Sequence, residues 1–152
     1  PKMIYGVNVN LRYRDFDLTV VGTGRAFYDL ALTNDYFWNG WGDGNYSKYT
    51  LRNAGNPDHP RLTYNKVNNN YKTSTFWLED GGFFKIQTVE LGYELPVHRL
   101  GITSIRRMRV YLRGNNLCTV SKIKDVDPEA IGSGLTNYPL MRTFVAGVKL
   151  TF

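Results

Sequence analysis

Within the last twelve residues, 141–152, one face is apolar from Phe144 on and the other is mostly polar or small. Phe144, Ala146, Val148, Leu150 and Phe152 share the even positions, and Thr143, Val145, Gly147, Lys149 and Thr151 the odd ones. A period of two marks a strand with two unlike faces. A tilted strand of about 9–11 residues crosses a bilayer, and a terminal aromatic falls where a membrane barrel carries its aromatic girdle. An amphipathic strand of a soluble sandwich shows the same alternation, so both readings stand for this segment alone.

The same pattern recurs upstream. Over residues 3–13 the odd positions are Met3, Tyr5, Val7, Val9, Leu11 and Tyr13, against Gly6, Asn8, Asn10 and Arg12. After the short polar break Arg14-Asp15, the residues Phe16, Leu18, Val20 and Gly22 alternate with Asp17, Thr19, Val21 and Thr23. Two alternating runs so closely joined form an antiparallel hairpin. Residues 83–95 are again a strand, clean in phase through Val89, Leu91, Tyr93 and Leu95. Phe84 and Ile86 stand out of phase, which predicts a bulge or the strand's rise past a membrane edge. Over residues 104–117, Met108, Val110, Leu112 and Gly114 oppose Arg107, Arg109, Tyr111 and Arg113. Arginine costs about 2–4 kcal/mol at the midplane of a bilayer. That stripe therefore belongs on a wet lumen wall or a solvated soluble surface, and the membrane reading makes all three arginines lumen-facing.

Between these strands the pattern dissolves. Residues 25–82 hold breaker clusters such as Asn39-Gly40-Trp41-Gly42-Asp43-Gly44-Asn45 and Asn56-Pro57-Asp58-His59-Pro60, with a candidate short helix over 26–32. Residues 118–140 form a second long connection. Long irregular connections are usually functional or disordered. Connections thus run short, long, short, long, as an up-and-down membrane barrel requires, with short periplasmic turns and long extracellular loops. The expectation is an all-β fold: an antiparallel transmembrane β-barrel segment of about five strands, with 25–82 and 118–140 on one side of the membrane.

Composition changes this picture little. Lys plus Arg number 19 and Asp plus Glu 13, a formal charge of +6. The basic residues form no patch in sequence and no RNA-binding motif is present, so nucleic acid is not an expected partner. No run approaches the roughly 18 apolar residues of a spanning helix, which leaves a barrel open. Aromatics make up 14% of the chain, suiting membrane girdles or stacking on a sugar or base. The single cysteine, Cys118, forbids an internal disulfide. The chain opens Pro1-Lys2 and reads as a processed or truncated piece.

Candidate chemistry is sparse. His59 and His98 lie in different connections and suggest no zinc site. No nucleophile elbow, phosphate loop or paired-carboxylate motif appears, so neither an enzyme nor a cofactor is expected. Asp43-Gly44-Asn45 and Asp125, Asp127, Glu129 place oxygens at alternate positions, as calcium sites do, but Asp, Asn and Gly also build turns without any ion. Trp38, Trp41 and Trp77 are candidates for stacking on a substrate or meeting a lid protein. The plainer alternative is that they pack the loops together.

Several stretches, in order along the chain, resemble the C-terminal end of SusC/RagA-type TonB-linked outer-membrane transporters. They are Thr73-Ser74-Thr75-Phe76-Trp77-Leu78-Glu79-Asp80-Gly81, Val89-Glu90-Leu91-Gly92-Tyr93-Glu94-Leu95-Pro96, Val110-Tyr111-Leu112-Arg113-Gly114-Asn115-Asn116-Leu117, Val126-Asp127-Pro128-Glu129 and Gly147-Val148-Lys149-Leu150-Thr151-Phe152. Tyr5-Gly6-Val7-Asn8 and Phe16-Asp17-Leu18 fit the same family's upstream strands. The resemblance implies the last five strands of a plugged barrel of roughly 22 strands. It implies energy-coupled import of glycans or peptides across a Gram-negative outer membrane, of a Bacteroidetes-like kind. The implied partners are the rest of the parent barrel and plug, a SusD-like lipoprotein over the long loops, the TonB complex through a part not present here, and the lipid bilayer. It also implies that the terminal strand, with Val148, Leu150 and Phe152, is read as an assembly signal. The competing class is a soluble β-sandwich module that binds carbohydrate through its aromatic loops.

Overall fold

A computed structural model describes residues 1–38, 46–61, 69–97, 101, 104–131 and 138–152. Its elements are β1 (Met3–Tyr13), β2 (Phe16–Ala26), β3 (Asp29–Ala31), α1 (Lys48–Arg52), a 3-10 turn (Thr75–Trp77), β4 (Leu78–Asp80), β5 (Phe83–Leu95), β6 (Arg107–Ser121) and β7 (Thr143–Thr151). They fall into two compact units.

One unit is a five-stranded antiparallel sheet in the order β1-β2-β5-β6-β7. Its strands neighbour one another in the order in which they leave the chain, which is the up-and-down arrangement. Arg14 turns the first hairpin with φ 53°. In this up-and-down order β2 and β6 finish, and β5 and β7 begin, at the same end of the sheet.

The phase slip in β5 is a bulge. Phe16 faces Tyr93 and Val20 faces Val89, but the register shifts between Val21, opposite Thr88, and Gly22, opposite Ile86. Gln87 is the extra residue. One inserted residue flips the parity of everything before it. Phe84 and Ile86 thereby rejoin the face of Val89, Leu91 and Tyr93, and Phe84 stacks parallel to Tyr5 of β1, their centroids 6.1 Å apart.

The sheet consequently has one apolar face and one polar face. In β6 and β7 the apolar pairs are in register: Met108 with Leu150, Val110 with Val148 and Leu112 with Ala146. Among the described residues nothing in the unit covers them. Leu11 is 59% exposed, Leu112 64% and Val148 56%. A contiguous bare apolar face of this kind marks a surface that meets another apolar phase, whereas the inner face of a sandwich is covered by a second sheet.

The other unit is built from the long connections. Its core is Leu32, Phe37, Trp77, Ile123 and Ile131, with Leu30, Tyr36, Trp38, Tyr49, Tyr71 and Val126 packed against it. The first connection supplies three of the five core residues and the second supplies Ile123 and Ile131, so the two connections share one core. Residues 26–32 are not the expected helix. Phe27 sits at φ 59°, in the left-handed region, and Asp29, Leu30 and Ala31 pair with Asp80, Glu79 and Leu78. The strand partner outweighs a weak helix propensity. The helix lies instead at Lys48–Arg52, where the Ser47 hydroxyl accepts from the Thr50 N–H at 3.1 Å, the usual N-cap arrangement. Arg52 then reaches Asp125 of the second connection at 2.7 Å.

Candidate functional site: the polar face of the sheet

The alternation that bares the apolar face collects the charged residues on the other. Arg109 is at the centre. In the sheet order β2-β5-β6 it must cross β5 to reach β2, and it does so over Gly92. A Cβ at Gly92 would lie 2.6 Å from the guanidinium carbon of Arg109 and 2.5 Å from Asp17 Oδ1. Only a glycine leaves the passage open. Arg109 Nε donates to Asp17 Oδ1 at 3.0 Å, and Nη2 donates to Asp17 Oδ2 and to Glu90 Oε1, the last at 2.7 Å. One guanidinium thus ties three strands, in the side-on geometry that makes arginine–carboxylate pairs strong.

Two acids are each shared between two arginines. Glu90 also accepts from Arg113 Nε at 2.6 Å. Glu94 accepts from Arg107 at 2.7 Å and from Arg12 of β1 at 3.0 Å. Neutral links continue the lattice: Thr19 donates to Asn10 at 2.9 Å, Thr88 to Asn115 at 3.1 Å, and Asn115 to Thr143 at 3.1 Å. Isolated exposed ion pairs contribute about 0.2–1 kcal/mol each, and networks more. Tyr111 lies between Arg109 and Arg113, whose guanidinium carbons stand 5.5 Å and 5.7 Å from its ring centroid. The sequence-predicted arginines are therefore together on one face. Their carboxylate partners, Asp17, Glu90 and Glu94, were missed. The signal was their shared parity with the stripe once β2 and β5 are paired.

The tryptophans belong to the loop unit. Trp77 is buried, 3% exposed, and its indole N–H donates to the Asn70 carbonyl at 3.1 Å. Trp38 stacks at a tilt on Trp77, with ring centroids 5.9 Å apart. The Trp77 ring packs in one core with residues of both connections. Trp41 lies outside the described residues, as do His98 and Asp43-Gly44-Asn45. His59 Nε2 is 2.8 Å from the Tyr49 hydroxyl, and burial, then the Glu79 charge, pushes the Tyr49 hydroxyl above its ordinary pKa. Asp127 accepts from the Glu129 N–H at 3.0 Å, the turn chemistry that its sequence allows. Asp80 accepts from the Gly82 N–H at 2.9 Å; that bond, then Lys122, holds its carboxyl below the usual range.

Among the described residues no helix is long and apolar enough to cross a membrane, and no group of side chains has the makeup of a metal site. No family model matches the chain. Two TonB-dependent receptors of Formosa agariphila are each 28% identical to it along its whole length, over 172 and 170 aligned residues. Solved structures of the RagAB peptide importer superpose on it. In the open-open state the TM-score is 0.72 at 28% identity over 98% of the chain, and in the closed-closed state 0.74 over the same share. The chain is similar to these TonB-dependent receptors and to the RagAB peptide importer. It spans 17% and 16% of the two curated receptors, and 17% of each importer chain. The bare apolar face of the sheet suits lipid, and the ion-paired face suits a wet interior. The relatives are receptors and transporters by name, not enzymes.

Proposed function

We propose that this chain forms the C-terminal part of a TonB-dependent transporter that imports peptides or glycans across a Gram-negative outer membrane. The observation that carries the proposal is the two-faced up-and-down sheet, apolar and uncovered on one side and laced with ion pairs on the other. The likeness to a peptide importer supports peptides first. A soluble carbohydrate-binding sandwich is not favoured, since no second sheet covers the apolar face among the described residues. In this reading Arg107, Arg109 and Arg113 face the lumen or the plug. The connections 27–82 and 122–142 are extracellular, where a SusD-like lipoprotein closes over them, and TonB engages a segment outside this chain.

Two measurements test it. Membrane-impermeant labelling of cysteines introduced in intact cells should reach Leu51 and Glu129 and spare Asp15. Label at Asp15 on intact cells would reverse the topology. The terminal aromatic tests assembly. An open strand edge is costly in lipid until the barrel closes, so an end mark that speeds capture of β7 protects the chain. Phe152→Asp is expected to lower outer-membrane abundance of the full receptor far more than uptake per inserted molecule. Normal abundance with lost uptake would assign Phe152 to transport.

A further inference from the structure

We infer that the polar face selects anionic peptides, so that the imported substrate class is peptide rich in aspartate and glutamate; this rests on the import reading above. The first observation is a charge imbalance. Arg12, Arg107, Arg109, Arg113 and Lys149 share this face with Asp17, Glu90 and Glu94. Arg25 and Lys85 lie on the same face by their register, so seven cations meet three carboxylates, and the surplus is not spread evenly. Lys149 stands directly opposite Arg109 in the β6–β7 register. Like charges directly opposite are destabilising. Arg109 turns away across Gly92 to its acids on β2 and β5. Lys149 is left exposed, and among the described residues no carboxylate is paired with it. Arg107, 65% exposed along its side chain, spends only its Nε on Glu94, which it shares with Arg12. Its remaining guanidinium donors are open to an acceptor.

The second observation is a flat aromatic beside those cations. A Cβ at Gly147 would lie 2.7 Å from Tyr111 Cε1 and 2.5 Å from its hydroxyl. The ring therefore lies across β7 against the glycine, half-buried, with Arg109 and Arg113 at its flanks. An extended chain sliding over this face meets a smooth ring flanked by Arg109 and Arg113, with Lys149 opposite Arg109 and Arg107 further along the same strand face. Carboxylate side chains find charge-assisted donors there, and the ring gives the backbone a place to rest between them. Because the arginines are already partly paired and Lys149 is a single exposed charge, an anion is held loosely enough to move on to the next.

The test uses the full-length receptor in its native outer membrane, with uptake of a fluorescent peptide carrying aspartates compared with its asparagine isostere. Wild type is expected to favour the aspartate peptide by about tenfold, the worth of one charge-assisted contact. Lys149→Gln, and separately Arg107→Gln, should cut that ratio several-fold at equal abundance, and Lys149→Arg should keep it. Arg14→Gln in the first hairpin turn is the charge-matched control and should leave the ratio alone. An unchanged ratio in both Gln variants at normal abundance would overturn the proposal. Uptake of an oligogalacturonate in preference to both peptides would overturn the peptide class. Failure of wild type to import any of the three probes would instead refute the import reading itself, and the selection with it.

Discussion

Gly92→Ala is expected to destabilise the assembled barrel by about 2–3 kcal/mol, and Gly92→Leu to prevent its assembly. The reason is not backbone freedom but the missing side chain. The space above Gly92 holds the Arg109 guanidinium on its way to Asp17. A methyl there displaces the guanidinium and strands Asp17, and each hydrogen bond to a charged group is worth about 1.5–3 kcal/mol. The measurement is the unfolding midpoint of the full receptor in vesicles. The decisive variant is the pair Gly92→Ala with Arg109→Ala. Once the guanidinium is gone the methyl has room, so the double variant should cost clearly less than the sum of the singles. Simple additivity would mean that Gly92 is required for some other reason and that the cross-strand passage is incidental.

Val148→Arg should cost about 2–4 kcal/mol of barrel stability, and Lys149→Arg next to nothing. Val148 is on the bare face opposite Val110, near the middle of β7, and Lys149 is on the charged face opposite Arg109. An arginine at 148 is pushed into hydrocarbon, while one at 149 joins other cations in a wet region. Equilibrium unfolding from lipid vesicles reads both, alongside the inserted yield. If Lys149→Arg proved the more harmful, the two faces would have been assigned the wrong way round.

The strands were legible because their alternation is local. β1 and β7 need nothing beyond parity. β5 needed one extra inference, the bulge at Gln87, which the out-of-phase Phe84 and Ile86 announced. The end of β6 was misjudged. Asn115-Asn116 looks like a terminator, yet the strand runs on to Ser121. Asn116 takes a left-handed φ of 53°, which asparagine tolerates better than most residues, and Leu117 folds over Gly114, so the ladder absorbs the irregularity. The arginine stripe was legible, but its acids were not: Asp17 and Arg109 are 92 residues apart. The loop core was the least legible. Leu32, Phe37, Trp77, Ile123 and Ile131 follow no period, and what unites them is tertiary packing.

That shared core makes the two long connections a single heritable piece. A chimera that takes only 27–82 from another receptor would replace Leu32, Phe37 and Trp77 while keeping Ile123 and Ile131, and Asp125 would lose Arg52 as its partner. Exchange of both connections together keeps the packing whole and leaves the barrel strands untouched. New specificities built on this scaffold are then expected to travel as matched pairs of segments, far apart in the gene and bound to change in step.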